Sequence, residues 1–173
     1  MAEPDHNAHP RNTTLQPATV ADVAFLCQHM REDERAQVLA LTHFDAYDPD
    51  AVARMLVAKQ GPAFSVVRED GMPVVTGGFE PVALGVWQTW MVTCDLAWSE
   101  FGLAVTRHVR KTMDSLLQSE GCHRIQTNAL TAREEAVLWY ERALHMQREG
   151  VLRAFGKHGE DIVLFSRVRE GGD

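Results

Sequence analysis

Cysteine is scarce: Cys27, Cys94 and Cys122 are the only three in 173 residues, far apart and with no Cys-x-x-Cys pair. That excludes a disulfide framework and a zinc knuckle and suits a reduced, cytosolic compartment. No run of basic residues occurs, and 17 Lys+Arg against 24 Asp+Glu leave a formal net charge of -7. Nucleic acid and anionic membranes are therefore poor partners for this chain. No stretch of about 18 apolar residues exists to cross a bilayer, and the N-terminus lacks the apolar core of a secretory signal. No Gly-x-Ser-x-Gly elbow is found, and Ser115 and Ser119 have no evident His-Asp partners, so hydrolytic nucleophile chemistry has no footing.

What remains is an ordinary globular composition, 45% hydrophobic and 24% charged, at a length that fills one domain. Residues 1–16 are almost devoid of apolar side chains and read as a polar tail, 17–170 as the domain and 171–173 as a frayed end. An ordered tail of this kind would call for a partner surface. His6 and His9 in the tail have a metal-like spacing, but no other ligand supports them and no metal is expected.

Thr19 with Asp22 three residues on forms a capping box that opens a first helix, which bends or restarts in the charged run Met30-Arg31-Glu32-Asp33-Glu34-Arg35. Asp48-Pro49 starts a second helix. Phe64–Arg68 and Pro73–Phe79 flank an Asp-Gly turn and form a hairpin. Val86–Cys94 is apolar on both faces, as in a central strand covered twice, with Trp87 and Trp90 on opposite sides. Phe101–Gly121 carries the clearest helical period, with Gly121 as its cap. A strand at Ile125–Leu130, a helix opened by a Thr131/Glu134 box, and closing strands near Val151–Phe155 and Ile162–Val168 complete the chain. The order implies a single mixed α/β domain, a mostly antiparallel sheet with helices on both faces.

This order, together with Leu138-Trp139-Tyr140-Glu141-Arg142-Ala143-Leu144-His145-Met146, resembles the GNAT superfamily of N-acetyltransferases over residues 15–169. The resemblance places the superfamily's phosphate loop at Ser99-Glu100-Phe101-Gly102-Leu103-Ala104, where a helix N-terminus would hold the pyrophosphate of acetyl-CoA. Only Gly102 and the small Ala104 keep that pattern. Ser99 replaces a basic or amide residue, and Glu100 looks like an internal substitute for the anion. Tyr140 matches the tyrosine that protonates the leaving thiolate, Glu80 and Asp95 are candidate bases, and Arg133 stands where an asparagine often lies beside the pantetheine arm.

A narrower resemblance rests on Met30–Arg35, on Gly71-Met72-Pro73-Val74-Val75, on Trp90-Met91-Val92-Thr93-Cys94-Asp95 and on Asn128. It is to the GNAT-like virion morphogenesis proteins of T7-type tailed phages. It implies a protein of the phage particle or host cytoplasm that works through contacts with other virion or assembly proteins, or with its own copies. Efficient catalysis and a cofactor are not expected on that reading. The alternative is an acetyl-CoA-dependent N-acetyltransferase of an unidentified amine, with Ser99, Gly102, Leu103 and Ala104 at the pyrophosphate and Tyr140 as the acid. The two readings part at the cleft between the central strand and its neighbour, open and basic for the enzyme, filled by Trp98, Phe101 or Glu100 for the scaffold.

Overall fold

The computed structural model describes residues 12–169. His6 and His9 and the C-terminal glycines lie outside them. The expected tail ends earlier than its composition suggests: Thr13–Pro17 is strand β1, antiparallel to β2 (Ala63–Arg68) from Thr13↔Arg68 to Pro17↔Phe64. Leu15 packs on the core, and the Thr13 hydroxyl lies 3.4 Å from His108 Nε2, so pairing supplies what the polar sequence lacks.

Local chemistry sets the first helices. In α1 (Val20–Gln28) the Asp22 amide donates to Thr19 Oγ1 at 3.1 Å and the Thr19 amide to Asp22 Oδ2 at 3.0 Å, the reciprocal box expected. The chain restarts as α2 (Glu32–Leu41), whose first turn holds Glu32, Asp33 and Glu34 at the positive end of the helix dipole. Asp48 caps α3 (Pro49–Val57) by accepting from the amides of Asp50 and Ala51.

The sheet has seven strands in the order β1-β2-β3-β4-β5-β7-β6. β2 turns through Gly71, whose φ of 82° suits glycine, into β3 (Pro73–Ala83). Seven consecutive buried residues, Pro73 to Phe79, show that β3 is covered on both faces. α1 lies against β3 and β4 and packs on α3, while α5 lies against β5. Gly78 sits opposite Trp90 of β4 (Val86–Thr93), and a Cβ there would come within 2.8 Å of the indole.

Two expectations at the centre change. Between β4 and the long helix α5 (Gly102–Gln118) lies an extra short helix, α4 (Asp95–Ser99). α5 buries Val105, Val109, Met113 and Leu117 at four-residue steps, but it ends at Ser119 rather than at Gly121. Arg169 closes that end from afar, donating to the carbonyls of Leu117, Ser119 and Cys122.

β5 (Arg124–Leu130) runs parallel to β4, and every other neighbouring pair is antiparallel. The Thr131/Glu134 box does not form: Thr131 Oγ1 donates to the Asp161 carbonyl, and Arg133 stands at the helix start without a side-chain cap. α6 (Glu134–Leu138) then widens into one π-helical turn at Trp139–Ala143. β6 (Gln147–Leu152) begins earlier than the sequence suggests, and β7 (Ile162–Val168) inserts between it and β5. All three cysteines are free and buried. Among the described residues no helix is long and apolar enough to cross a membrane, and no group of three or more metal-ligating side chains occurs.

Candidate active-site cleft

β4 and β5 pair only at Val86↔Arg124, Trp87↔Ile125 and Gln88↔Gln126. Beyond these the strands diverge, and a cleft of about 490 Å³ opens between them, lined by Thr89–Val92 of β4, Thr127 and Asn128 of β5, and side chains of α2, α3 and α6. The Thr93 amide points into this gap, where it meets a side chain of α2. Alternation along the ladder aims the N–H and C=O groups of Met91 and Thr89 into the same gap. These groups form an open strand edge on which an extended, amide-bearing ligand can pair.

The side chain on the Thr93 amide is Glu34, which is only 6% exposed. Thr93 N–H donates to Glu34 Oε2 at 2.8 Å and Thr93 Oγ1 to Glu34 Oε1 at 2.5 Å. Trp98 Nε1 donates in turn to Thr93 Oγ1 at 3.0 Å. Burial pushes the Glu34 carboxyl up to about 7, against the opposing pull of the two Thr93 hydrogen bonds and the Arg133 charge. Arg133 Nη2 is 3.7 Å from Glu34 Oε1. Its closer partners are Asp33 Oδ2 at 2.8 Å and Gln37 Oε1 at 2.9 Å. Arg31 spans the same mouth, 3.4 Å from Asp33, 3.5 Å from Asp95 and 3.7 Å from Glu135.

Tyr140 is buried and lines the cleft. Its ring lies between those of Trp139 (centroids 5.4 Å apart) and Phe165 (5.3 Å). Burial raises its hydroxyl above the ordinary phenol range, with Arg133 and a hydrogen bond to Thr127 pulling the other way, so it stays protonated at neutral pH. Trp139 meets Trp98 edge-on at 5.0 Å and donates to Thr106 Oγ1 at 2.9 Å, which fixes this wall.

The other sequence candidates fall elsewhere. Glu80 is ion-paired to Lys59 at the rim and does not line the cleft. Asp95 is almost fully exposed and pairs with Arg31. Ser99, Gly102, Leu103 and Ala104 do not line the cleft either. The Ser99 hydroxyl donates to the Asp95 carbonyl, Leu103 is 86% exposed, and a Cβ on Gly102 would meet only Trp98 at ordinary contact distance. Phe101 is buried, and with Glu100 it borders a second, separate cavity beside the β2–β3 turn. The carboxylate that holds a β4 amide is thus Glu34, not Glu100.

Glu34 was hidden in a charged run that reads as solvent-facing. The available signal is its spacing to Val38 and Leu41, the cleft-lining face of α2. The cleft itself is open and only partly walled by Trp98. It is not basic: Arg31, Lys59 and Arg133 face Asp33, Glu34 and Glu135 in its lining.

No known family profile matches the sequence, and no curated protein is detectably similar to it. Solved structures are similar. An acetyltransferase of the GNAT family from Bacillus anthracis superposes with a TM-score of 0.68 at 14% identity, covering 92% of this chain and 96% of that one. The fold is that of the GNAT acetyltransferases. A point mutant of spermidine N-acetyltransferase from Vibrio cholerae (TM-score 0.66, 12% identity, 91% and 94% covered) has the same GNAT architecture. So does the ribosomal-protein-S5-alanine acetyltransferase of Vibrio fischeri (TM-score 0.66, 15% identity, 93% and 95% covered). On this GNAT scaffold the departures are local: an inserted α4 where the phosphate loop was expected, and a glutamate from α2 on the last amide of β4.

Proposed function

We propose that this protein is an N-acetyltransferase that uses acetyl-CoA and works in the cleft between β4 and β5. The observation that carries the reading is that open cleft, with a protonated Tyr140 hydroxyl in its wall and a buried carboxyl of neutral pKa, Glu34, beside it. A pair of titratable groups held in opposite protonation states is the usual arrangement for acid and base roles.

The fit to the donor is good at one end and poor at the other. The free strand edge at Thr89 and Met91 suits the two amides of a pantetheine arm. The residues proposed for the pyrophosphate, Ser99, Gly102, Leu103 and Ala104, lie outside the cleft behind α4, so the phosphates would be held mainly by solvent and by Arg31 at the mouth. When bound, acetyl-CoA supplies an activated acetyl thioester. Glu34 takes a proton from the acceptor nitrogen as the new C–N bond forms. Tyr140 gives its proton to the sulfur as the C–S bond breaks. Each group must be reset by solvent before the next turn.

A second reading is a GNAT-fold protein of a phage particle that acts through contacts with virion proteins or with its own copies. One observation favours it, the loss of the expected phosphate loop; the structural neighbours are acetyltransferases and lend the phage part no support. Calorimetry with acetyl-CoA separates the two. Saturable binding with a matching rise in Tm supports the enzyme, whereas no heat and no shift at millimolar acetyl-CoA would sink it.

A further inference from the structure

The walls of the cleft differ sharply in chemistry. On the side of α2 and α3 they are apolar: Met30, Val38, Leu41, Met55 and Leu56 face Trp90 across the space. The one buried acid among the lining residues is Glu34. Its neighbours Asp33 and Glu135 are already engaged with Arg133 and Arg31, and Glu135 is almost fully exposed. Counting the partners just outside the lining, five carboxylates (Asp33, Glu34, Glu80, Asp95, Glu135) surround the cleft against three cations (Arg31, Lys59, Arg133). The closest cation to Glu34 stays 3.7 Å away, and a buried carboxylate gains from a nearer one.

We propose that the acceptor is a small primary amine with a single positive charge on an apolar body, its nitrogen at Glu34 and its body against the Met30–Leu41–Met55 wall. The acceptor role rests on the acetyltransferase reading, while the binding rests on the cleft alone. A polyamine would need several unengaged acids spaced along its length, and the cleft offers one. An aminosugar would bury hydroxyls against methionine and leucine side chains that cannot pair with them, a large penalty for each. The unbranched methionines adapt to a ring or a chain, and the shared space leaves room for only a small body once a donor's arm lies on β4.

Phenethylamine and spermidine are the probes, titrated calorimetrically into the full chain at pH 8 without acetyl-CoA, so that Glu34 is ionised. Phenethylamine should bind saturably and at least about tenfold more tightly than spermidine, a difference of about 1.4 kcal/mol. Glu34→Gln should weaken phenethylamine by about tenfold or more. Met55→Gln, which keeps the shape of a half-buried side chain, should weaken it several-fold without changing spermidine, and it serves if the Glu34 variant does not fold. Absent phenethylamine binding, equal or tighter spermidine binding, or unchanged affinity in both variants would overturn the proposal. Acetyl-CoA is titrated separately: if it fails to bind while phenethylamine binds through Glu34, the acetyltransferase reading falls and the amine site stands.

Discussion

Replacing Glu34 by glutamine keeps the shape of the side chain and an acceptor for the Thr93 amide but removes the titrating group. In the folded protein the carboxyl sits at about 7, against an ordinary value of 4.5. A folded pKa above the unfolded one means that the native state holds the proton more tightly. The stability it contributes is fully present below about pH 4.5 and is lost as pH rises through about 7. Two and a half units at 1.36 kcal/mol each make the loss about 3 kcal/mol, an upper figure because the denatured chain is not featureless. Urea unfolding at half-unit steps from pH 4.5 to 8 should show this decline in the native protein and a flatter profile in Glu34→Gln. Two other groups bear on the choice of window. His108 is lowered by burial, so its contribution grows as pH rises, but it is common to both proteins and cancels in their difference. Glu149 is held down near 2 by Arg124 and Ser166 and titrates below the window. Parallel pH profiles for the two proteins would refute the account of Glu34 as a buried acid strained by desolvation.

Tyr140→Phe should lower acetyl transfer by about two to four powers of ten while leaving the melting temperature within a few degrees, read by steady-state turnover and calorimetry; full activity would remove Tyr140 from the chemistry. Thr19→Ala removes one half of the capping box and should cost about 1 kcal/mol in urea unfolding, with Thr19→Gly costing less. Gly78→Ala drives a methyl into the Trp90 indole and should cost about 1–3 kcal/mol, shifting Trp fluorescence as well, since the ring that must give way lines the cleft.

What could be read from the sequence was whatever is decided within one turn of chain. The Thr19/Asp22 box, the Asp48-Pro49 start and the Asp70-Gly71 turn are set by neighbours three residues away or fewer, and the structure has them all. Features decided by distant partners were not legible. Thr131 has the residue spacing of a box, yet its hydroxyl goes to Asp161, and the end of α5 is closed by Arg169, about fifty residues on. β1 is too polar to announce itself and exists because β2 offers an edge. At the cleft the outcome was similar. Tyr140 was found because a motif surrounds it. Glu34 was not, because what buries it is Thr93, fifty-nine positions away, and a local reading of three consecutive acids points to solvent.

The wide turn at Trp139–Ala143, where the Leu144 amide bonds the Trp139 carbonyl five positions back, spends one residue more than an ordinary coil of the backbone needs. Deleting a single amino acid there would let the coil tighten to its standard pitch. Everything downstream would then swing by roughly a quarter-revolution, carrying Leu144 and Met146 out of the interior that now conceals them. The surplus residue therefore acts as a spacer, and evolutionary or engineered shortening at this point should be resisted by the tightly packed interior rather than by chemistry in the groove.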